Sequence, residues 1–279
     1  MELHVLSAGR TWNDPGGPFG LVPEVLWQRH YRADERHLLP MELNCLLIRS
    51  EGKTILVDNG YGDKLNEKVI RQMNLEYPQG TLLENLAEHG LQPEDVDIVL
   101  DTHLHSDHCG GNTTLRDGKL VPTFPNAEYW VQQMEWADAM NPNARTRATY
   151  LADNFRPVWE AGHFKLLNGD AQVTSEVRCV VTPGHTRGHQ SIVIEDGERS
   201  YLYVADLASF AVHFQRTAWV TSYDVEPLET IRTKERWQEW ALEKQAILLF
   251  EHDPQILAGE LKQDDEGRLK IEAVELSGS

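Results

Sequence analysis

Two successive blocks of apolar runs and amphipathic stretches predict an α/β chain, with two facing mixed sheets and helices outside them. Three observations carry this expectation. Short apolar runs bounded by turn residues, such as Thr54-Ile55-Leu56-Val57-Asp58, Val96 to Leu100, Val177 to Thr182 and Ile247 to Phe250, read as buried strands. Between them lie stretches with helical spacing, at Leu82 to His89, 132 to 161 and Glu229 to Gln245. In both blocks histidines or aspartates stand just past the ends of strands, which places one site along a common edge of the two sheets.

The chain has 279 residues, enough to bury a large core, and a single domain over 1–279 is expected. Its 41% hydrophobic and 25% charged content exclude a disordered or fibrous protein. The net charge is −18, from 26 basic and 44 acidic residues, so the surface repels phosphate backbones and anionic membranes. The partner is therefore expected to be a small molecule rather than nucleic acid or a membrane. Cys45, Cys109 and Cys179 are too few and scattered for a disulfide framework and fit a reducing compartment. Met1 to Leu6 lacks the basic start and apolar core of a signal peptide, and no apolar stretch approaches the ~20 residues of a spanning helix. A soluble, cytoplasmic protein is the expectation.

In chain order, Leu3 to Leu6 reads as a first strand, followed by the Gly/Pro-rich loop Asn13 to Gly20 and an aromatic-bearing segment, Leu21 to Tyr31. Loops of this length in compact domains are often functional. Phe19 and Trp27 either line a substrate pocket or anchor the loop, and the aromatics here suit a lid or a homodimer interface equally. Asn44 to Arg49 and Thr54 to Asp58 flank Glu51-Gly52-Lys53 as a hairpin. A helix from Leu82 stops at Gly90, and the strand from Val96 leads into a dense histidine cluster. Ala127 to Val131 is a further strand, after which Asn141-Pro142-Asn143 breaks 132 to 161 into two helices. The second block has a strand at Val177 to Thr182, a hairpin around Asp196-Gly197, the helix Glu229 to Gln245, a strand ending at Phe250 and an edge strand from Leu269 to Val274.

The cluster Thr102-His103-Leu104-His105-Ser106-Asp107-His108-Cys109-Gly110-Gly111 packs three imidazoles and a carboxylate into six positions. Side chains two apart on extended backbone point the same way, so His103 and His105 can share one ion. Asp107 and His108 face a second position once the chain turns. Neutral imidazole and carboxylate suit zinc, and iron, cobalt or manganese fit the same donors. Later strand ends supply His185, Asp206 and His252. One ion then takes His103, His105 and His185, the other Asp107, His108 and His252, and Asp206 bridges both. Cys109 is set aside as a small buried residue. Two divalent ions ~3.5–4 Å apart lower the pKa of a shared water from 15.7 towards about 7, which makes a hydroxide nucleophile for hydrolysis. Asp107, at the edge of the site, is the expected proton shuttle to the leaving oxygen.

This cluster resembles the signature of the metallo-β-lactamase superfamily, and Pro183-Gly184-His185-Thr186-Arg187-Gly188-His189, Asp206 and His252 follow the same order of ligands. The resemblance covers nearly the whole chain and implies an αββα sandwich, usually with two zinc ions. It further implies that Asp58 orients a ligand histidine. His189 is assigned to support or packing, and the remaining histidines to surface or packing. A narrower resemblance is to the YtnP-type quorum-quenching lactonases, through Gly17 to Trp27, Glu135-Trp136, Asn141-Pro142-Asn143, Arg145, Arg147, Tyr150, Tyr223-Asp224 and Phe250 to Asp253. It implies an N-acyl-homoserine lactone substrate opened at its ring ester. The better-known lactonase branch carries Phe where this chain has Ser106, and Tyr where it has Ser209, so Tyr223 is a candidate to assist the substrate carbonyl instead.

The alternatives are an aryl-ester or phosphotriester hydrolase resembling methyl parathion hydrolase, and a non-catalytic metal-binding scaffold on the same fold. A thioesterase of the glyoxalase II type lacks its basic C-terminal helical region here. An oxygen- or nitric-oxide-reducing di-iron protein would need a carboxylate where His105 stands and a flavodoxin-like domain.

Overall fold

The computed structural model describes residues 1–276. The chain divides into two compact units, one of residues 1–10 and 43–175, the other of residues 11–42 and 176–279. Each is built on a mixed sheet.

Fifteen strands are assigned among the described residues: β1 (Glu2–Asn13), β2 (Leu39–Ser50), β3 (Lys53–Val57), β4 (Ile98–Leu100), β5 (Thr113–Arg116), β6 (Lys119–Pro122), β7 (Glu128–Gln132), β8 (Phe164–Leu167), β9 (Ala171–Gln172), β10 (Val177–Val181), β11 (Gln190–Glu195), β12 (Ser200–Tyr203), β13 (Ile247–Leu249), β14 (Ala258–Gln263) and β15 (Leu269–Ala273). The first sheet runs β1-β2-β3-β4-β7-β8. β2 and β3 form the expected hairpin, with Ile48 opposite Ile55, and β3, β4, β7 and β8 are parallel neighbours. Parallel strands need covered faces, and the continuous apolar runs Ile55-Leu56-Val57 and Ile98-Val99-Leu100 meet that need.

In the first unit Leu43, Cys45 and Leu47 share one face of β2 by the two-residue alternation of a strand. They enclose a core with Leu82 and Leu86 of the helix Leu82–Glu88. That helix starts at a capping box, Thr81 accepting from the Glu84 backbone while the Glu84 carboxylate accepts from the Thr81 amide. Residues 132 to 161 resolve into the two expected helices, Gln133–Met140 and Ala152–Glu160. Among the elements with no counterpart in the sequence reading are the helix Glu67–Met73, which has no buried residue, the β5–β6 hairpin and the strands β8, β9 and β14. All are short, from two to seven residues.

The second sheet runs β15-β14-β13-β12-β11-β10-β9. From β10 to β15 its neighbours are antiparallel except β12 and β13, which pair in parallel with Leu202 opposite Leu248. The long helix Pro227–Lys244 starts on Pro227, whose missing N–H costs nothing in a first turn. It lays Trp237 and Ala241 against Val180, Val193, Leu202, Leu248 and Phe250. The first strand is much longer than Leu3 to Leu6, and Asp206 lies on a short turn just past the end of β12.

The aromatics of residues 19 to 31 are corrected in one respect. Phe19, Trp27 and Tyr31 are buried in a cluster with Leu39, Met41, Phe210 and Val212. Phe19 stacks on Trp27 at 5.3 Å, so these rings anchor the segment. Its exposed apolar residues are instead Leu21, Val25 and Leu26.

Candidate metal centre

In the first unit the parallel strands β3 and β4 end side by side and deliver Asp58 and Asp101 to Cys109 at their C-terminal edge. Asp58 stands in the left-handed region (φ 53), a conformation that aspartate tolerates better than most residues. Its carboxylate accepts from the Thr102 amide at 2.8 Å and the Thr102 hydroxyl at 2.7 Å. The same carboxylate takes Nδ1 of His108 at 3.1 Å. With that nitrogen donating, Nε2 of His108 keeps its lone pair for a cation. The rings of His103 and His105 lie 4.5 Å apart, and those of His103 and His108 4.0 Å apart. His103, His105 and His108 are buried, whereas the Asp107 side chain is 26% exposed.

The extended segment that carries His103 and His105 is pinned from its other side. Buried Glu135 accepts from the Leu104 amide at 2.9 Å and from the Tyr150 hydroxyl at 2.8 Å. The Tyr150 ring packs on His105 at 5.1 Å. Behind Asp58, the Asp101 carboxyl is held well above the usual carboxylate range by burial and by the neighbouring Asp58 charge. Cys109 sits in an apolar cluster with Leu104, Val131 and Phe155, and burial pushes its thiol up, as suits a packing residue.

In the second unit three strand ends converge. His185 follows β10, Asp206 follows β12 and His252 follows β13. Nε2 of His185 lies 3.0 Å from Oδ2 of Asp206, and Nε2 of His252 lies 3.4 Å from Oδ1 of the same carboxylate. Each imidazole is held from behind. Nδ1 of His185 meets Asp224 at 3.0 Å, and Asp224 in turn accepts from the Thr221 hydroxyl. Nδ1 of His252 donates to the Glu42 carbonyl at 2.7 Å, which leaves Nε2 unprotonated. One carboxylate thus presents its two oxygens to two different imidazoles.

Asp206 is aimed by its backbone. Ala205 is in the left-handed region (φ 48), which costs a residue with a Cβ of order 1–3 kcal/mol and is a common feature of functional turns. The Asp206 amide donates to Nε2 of His189 at 3.2 Å, so His189 acts on the site through that backbone. The Ser209 hydroxyl donates to Oδ1 of Asp206 at 2.6 Å and is committed there. The loop after His252 is tied by Asp253, which accepts from the Tyr31 hydroxyl and the Ala211 amide. Tyr223 is 38% exposed, and its hydroxyl lies where a Cβ on Gly17 would fall, 1.8 Å away.

The donors are imidazole nitrogens and carboxylate oxygens, the set preferred by zinc and its first-row neighbours. Sequence reasoning missed Glu135, Asp101 and Asp224 as supports. Their partners lie far along the chain, 31 residues for Glu135 and 39 for Asp224, and no local pattern marks them.

A family model for the metallo-β-lactamase superfamily matches residues 40–219. The chain belongs to this superfamily. Its fold of two mixed sheets and helices is the metallo-β-lactamase fold, and its His/Asp clusters are consistent with a binuclear metal site. An N-acyl homoserine lactonase of Bacillus cereus is 28% identical over 232 residues, covering 78% of this chain and 83% of that protein. A probable metal-dependent hydrolase from Staphylococcus aureus is 31% identical with a TM-score of 0.89, covering 100% of this chain and 97% of that one. An N-acyl homoserine lactone hydrolase, solved with N-hexanoyl-L-homoserine at its catalytic metal centre, is 25% identical with a TM-score of 0.69, covering 91% and 93%. Membership and these donor sets make the chain a metal-dependent hydrolase of this superfamily.

Proposed function

We propose that the chain is a binuclear metal-dependent lactonase that opens the ester ring of an N-acyl-homoserine lactone. Under this reading His103, His105, Asp107 and His108 act with His185, Asp206 and His252 as ligands of two divalent ions, most simply zinc. The observation that carries it is the Asp206 carboxylate, with one oxygen toward Nε2 of His185 and the other toward Nε2 of His252. The lactone is suggested by the 28% identical lactonase and by the hydrolase whose product is bound at its metal centre.

Two bound divalent ions would supply an acidified water and stabilise the negative charge that develops on the ring carbonyl. The residues of the chain do the rest. Asp58, Asp224 and the Glu42 carbonyl each hold a histidine Nδ1, so that Nε2 would be offered to a metal without reorganising. Asp107 is the more exposed carboxylate and carries the proton to the leaving alkoxide. The hydroxyl of Ser209 is taken by Asp206, and the partly exposed Tyr223 is the candidate to assist the carbonyl in its place. With Ser209 committed to Asp206, the second reading is an aryl-ester or phosphotriester hydrolase, whose phenolate leaving group departs with less help than an alkoxide.

The test is a panel of acyl-homoserine lactones, simple γ- and δ-lactones, aryl esters and dialkyl aryl phosphotriesters, run on zinc-loaded protein with metal content measured alongside. About two metals per chain and the highest kcat/KM on acyl-homoserine lactones are expected. Triester rates higher by orders of magnitude would replace the lactonase reading with the second one.

A further inference from the structure

The first unit contains a cavity of about 250 Å³, apart from the histidines, on the other side of the Asp58 to Gly62 turn. Its apolar wall includes Ala8, Leu65, Ile70, Leu82 and Phe124. Polar side chains interrupt that wall, among them Asn59 and Thr123. Asn59 is 1% exposed and Thr123 4% exposed, and neither Oδ1 of Asn59 nor Oγ1 of Thr123 has a hydrogen-bond partner among the described residues.

The orientation of the Asn59 amide is set by its neighbours. Its Nδ2 donates to Oδ1 of Asn112 at 2.5 Å, and Nδ2 of Asn112 donates to Asp101 at 3.0 Å. With Nδ2 of Asn112 donating to Asp101 and Oδ1 of Asn112 accepting from Asn59, Oδ1 is the atom of Asn59 left without a donor. Buried acceptors without donors are rare in native proteins and each calls for a ligand or water. The space is larger than one water fills, and its mostly apolar wall with a few polar groups suits a small molecule that has an apolar body and a polar end. At the ~30 Å³ that a water molecule occupies, about eight heavy atoms fit.

We propose that this cavity is a binding site for a small aliphatic alcohol of about that size. The chain lies along the apolar wall, and the hydroxyl supplies the donor that Asn59 Oδ1 lacks and an acceptor for Thr123. A carboxylate head is disfavoured, because Asn59 offers it only an oxygen and the exposed Asp63 at the rim carries like charge. The site borders the metal loop, for the Asn59 amide donates to the His108 carbonyl at 2.8 Å, and Asn59 directly follows Asp58. An occupant therefore touches the segment that orients His108.

The experiment titrates zinc-loaded protein with 1-heptanol and with heptanoate, following the methyl signals of Leu65, Ile70 and Leu82 by NMR. Saturable shifts with heptanol, and binding at least tenfold weaker with heptanoate, are expected. Thr123→Val should weaken heptanol about tenfold, and Ile70→Trp, which fills the cavity from a half-buried position, should abolish the shifts with metal content unchanged. Ile70→Trp alone decides the matter if Thr123→Val does not fold. Absence of saturation, equal binding of heptanoate, or binding that survives Ile70→Trp would overturn the proposal.

Discussion

At the scale of single residues, Asp206 concentrates the chemistry. It is 5% exposed, it faces two imidazoles, and its oxygens accept from Ser209 as well. A carboxylate so placed is costly to bury unless cations compensate it. Asp206→Ala is expected to lose metal, from about two ions per chain to one or none, and hydrolysis with it; elemental analysis with the lactone assay checks both. Full activity with full metal content would exclude a bridging role. Tyr223→Phe is expected to keep both metals and lower kcat by about 10², the usual cost of one hydrogen-bond donor to a developing oxyanion. An unchanged kcat would leave carbonyl assistance to another group. The ligand candidates were legible because spacing and strand ends mark them. Glu135 and Asp224 were not, since a buried acid facing a backbone amide or a distant histidine has no signature in one dimension.

At the scale of elements, the helix Pro227–Lys244 is the most informative. Gly184, just before His185, has φ 142, and a Cβ there would stand 2.4 Å from the Thr230 backbone nitrogen of this helix. The close approach is fastened by the Glu226 amide donating to the Gly184 carbonyl and the Val225 amide to the His185 carbonyl. Gly184→Ala is expected to destabilise the protein by about 2 kcal/mol, as overpacking at a rigid contact does. Urea unfolding checks it, with Gly52→Ala, where a Cβ meets nothing within 4 Å, as the comparison. The same helix buries Lys234, whose ammonium donates to the carbonyls of His213 and Trp219. Burial lowers its pKa to about 7. Between about pH 7 and 10.5 the unfolded chain binds this proton and the folded chain does not, so its contribution makes stability rise with pH in that window and stay flat below it. Lys234→Met is expected to remove that rise relative to the parent, measured as the difference of two stability profiles.

At the scale of the molecule, a net charge of −18 and several buried carboxylates set the energetics. Asp58, Asp224 and Glu251 are all within 4% of complete burial, and like charges in a low-dielectric interior repel strongly. Divalent cations bound to the folded state alone stabilise it by mass action, about 4 kcal/mol when free metal is a thousandfold above Kd. Chelation is expected to lower the Tm, zinc to restore it, and added salt to recover part of the loss by screening the self-repulsion of the chain. Scanning calorimetry of chelated, reloaded and high-salt samples checks this. A Tm indifferent to chelation would mean that the folded donor sets hold no metal of consequence.

What the sequence determined by itself was the order of elements and the donors they carry. Apolar runs of period one or two, helical spacing and dense histidines are local properties, and the hydrophobic effect and metal chemistry read them locally. The β2–β3 hairpin, the break at Asn141-Pro142-Asn143 and the strand-end placement of His185 and His252 all follow from such signals. The resemblance pointed to Asp58 as the support of a ligand histidine, but only the tertiary structure decided which histidine it holds and which lone pair each one presents, because that depends on what stands behind the ring. Asp58 behind His108, Asp224 behind His185 and the Glu42 carbonyl behind His252 are partners 50, 39 and 210 residues away. The same holds for Phe19 and Trp27, whose burial against Phe210 no nearby residue foretells. Hydrogen bonds and packing act over a few ångströms of space, and a folded chain brings those ångströms together without regard to sequence distance.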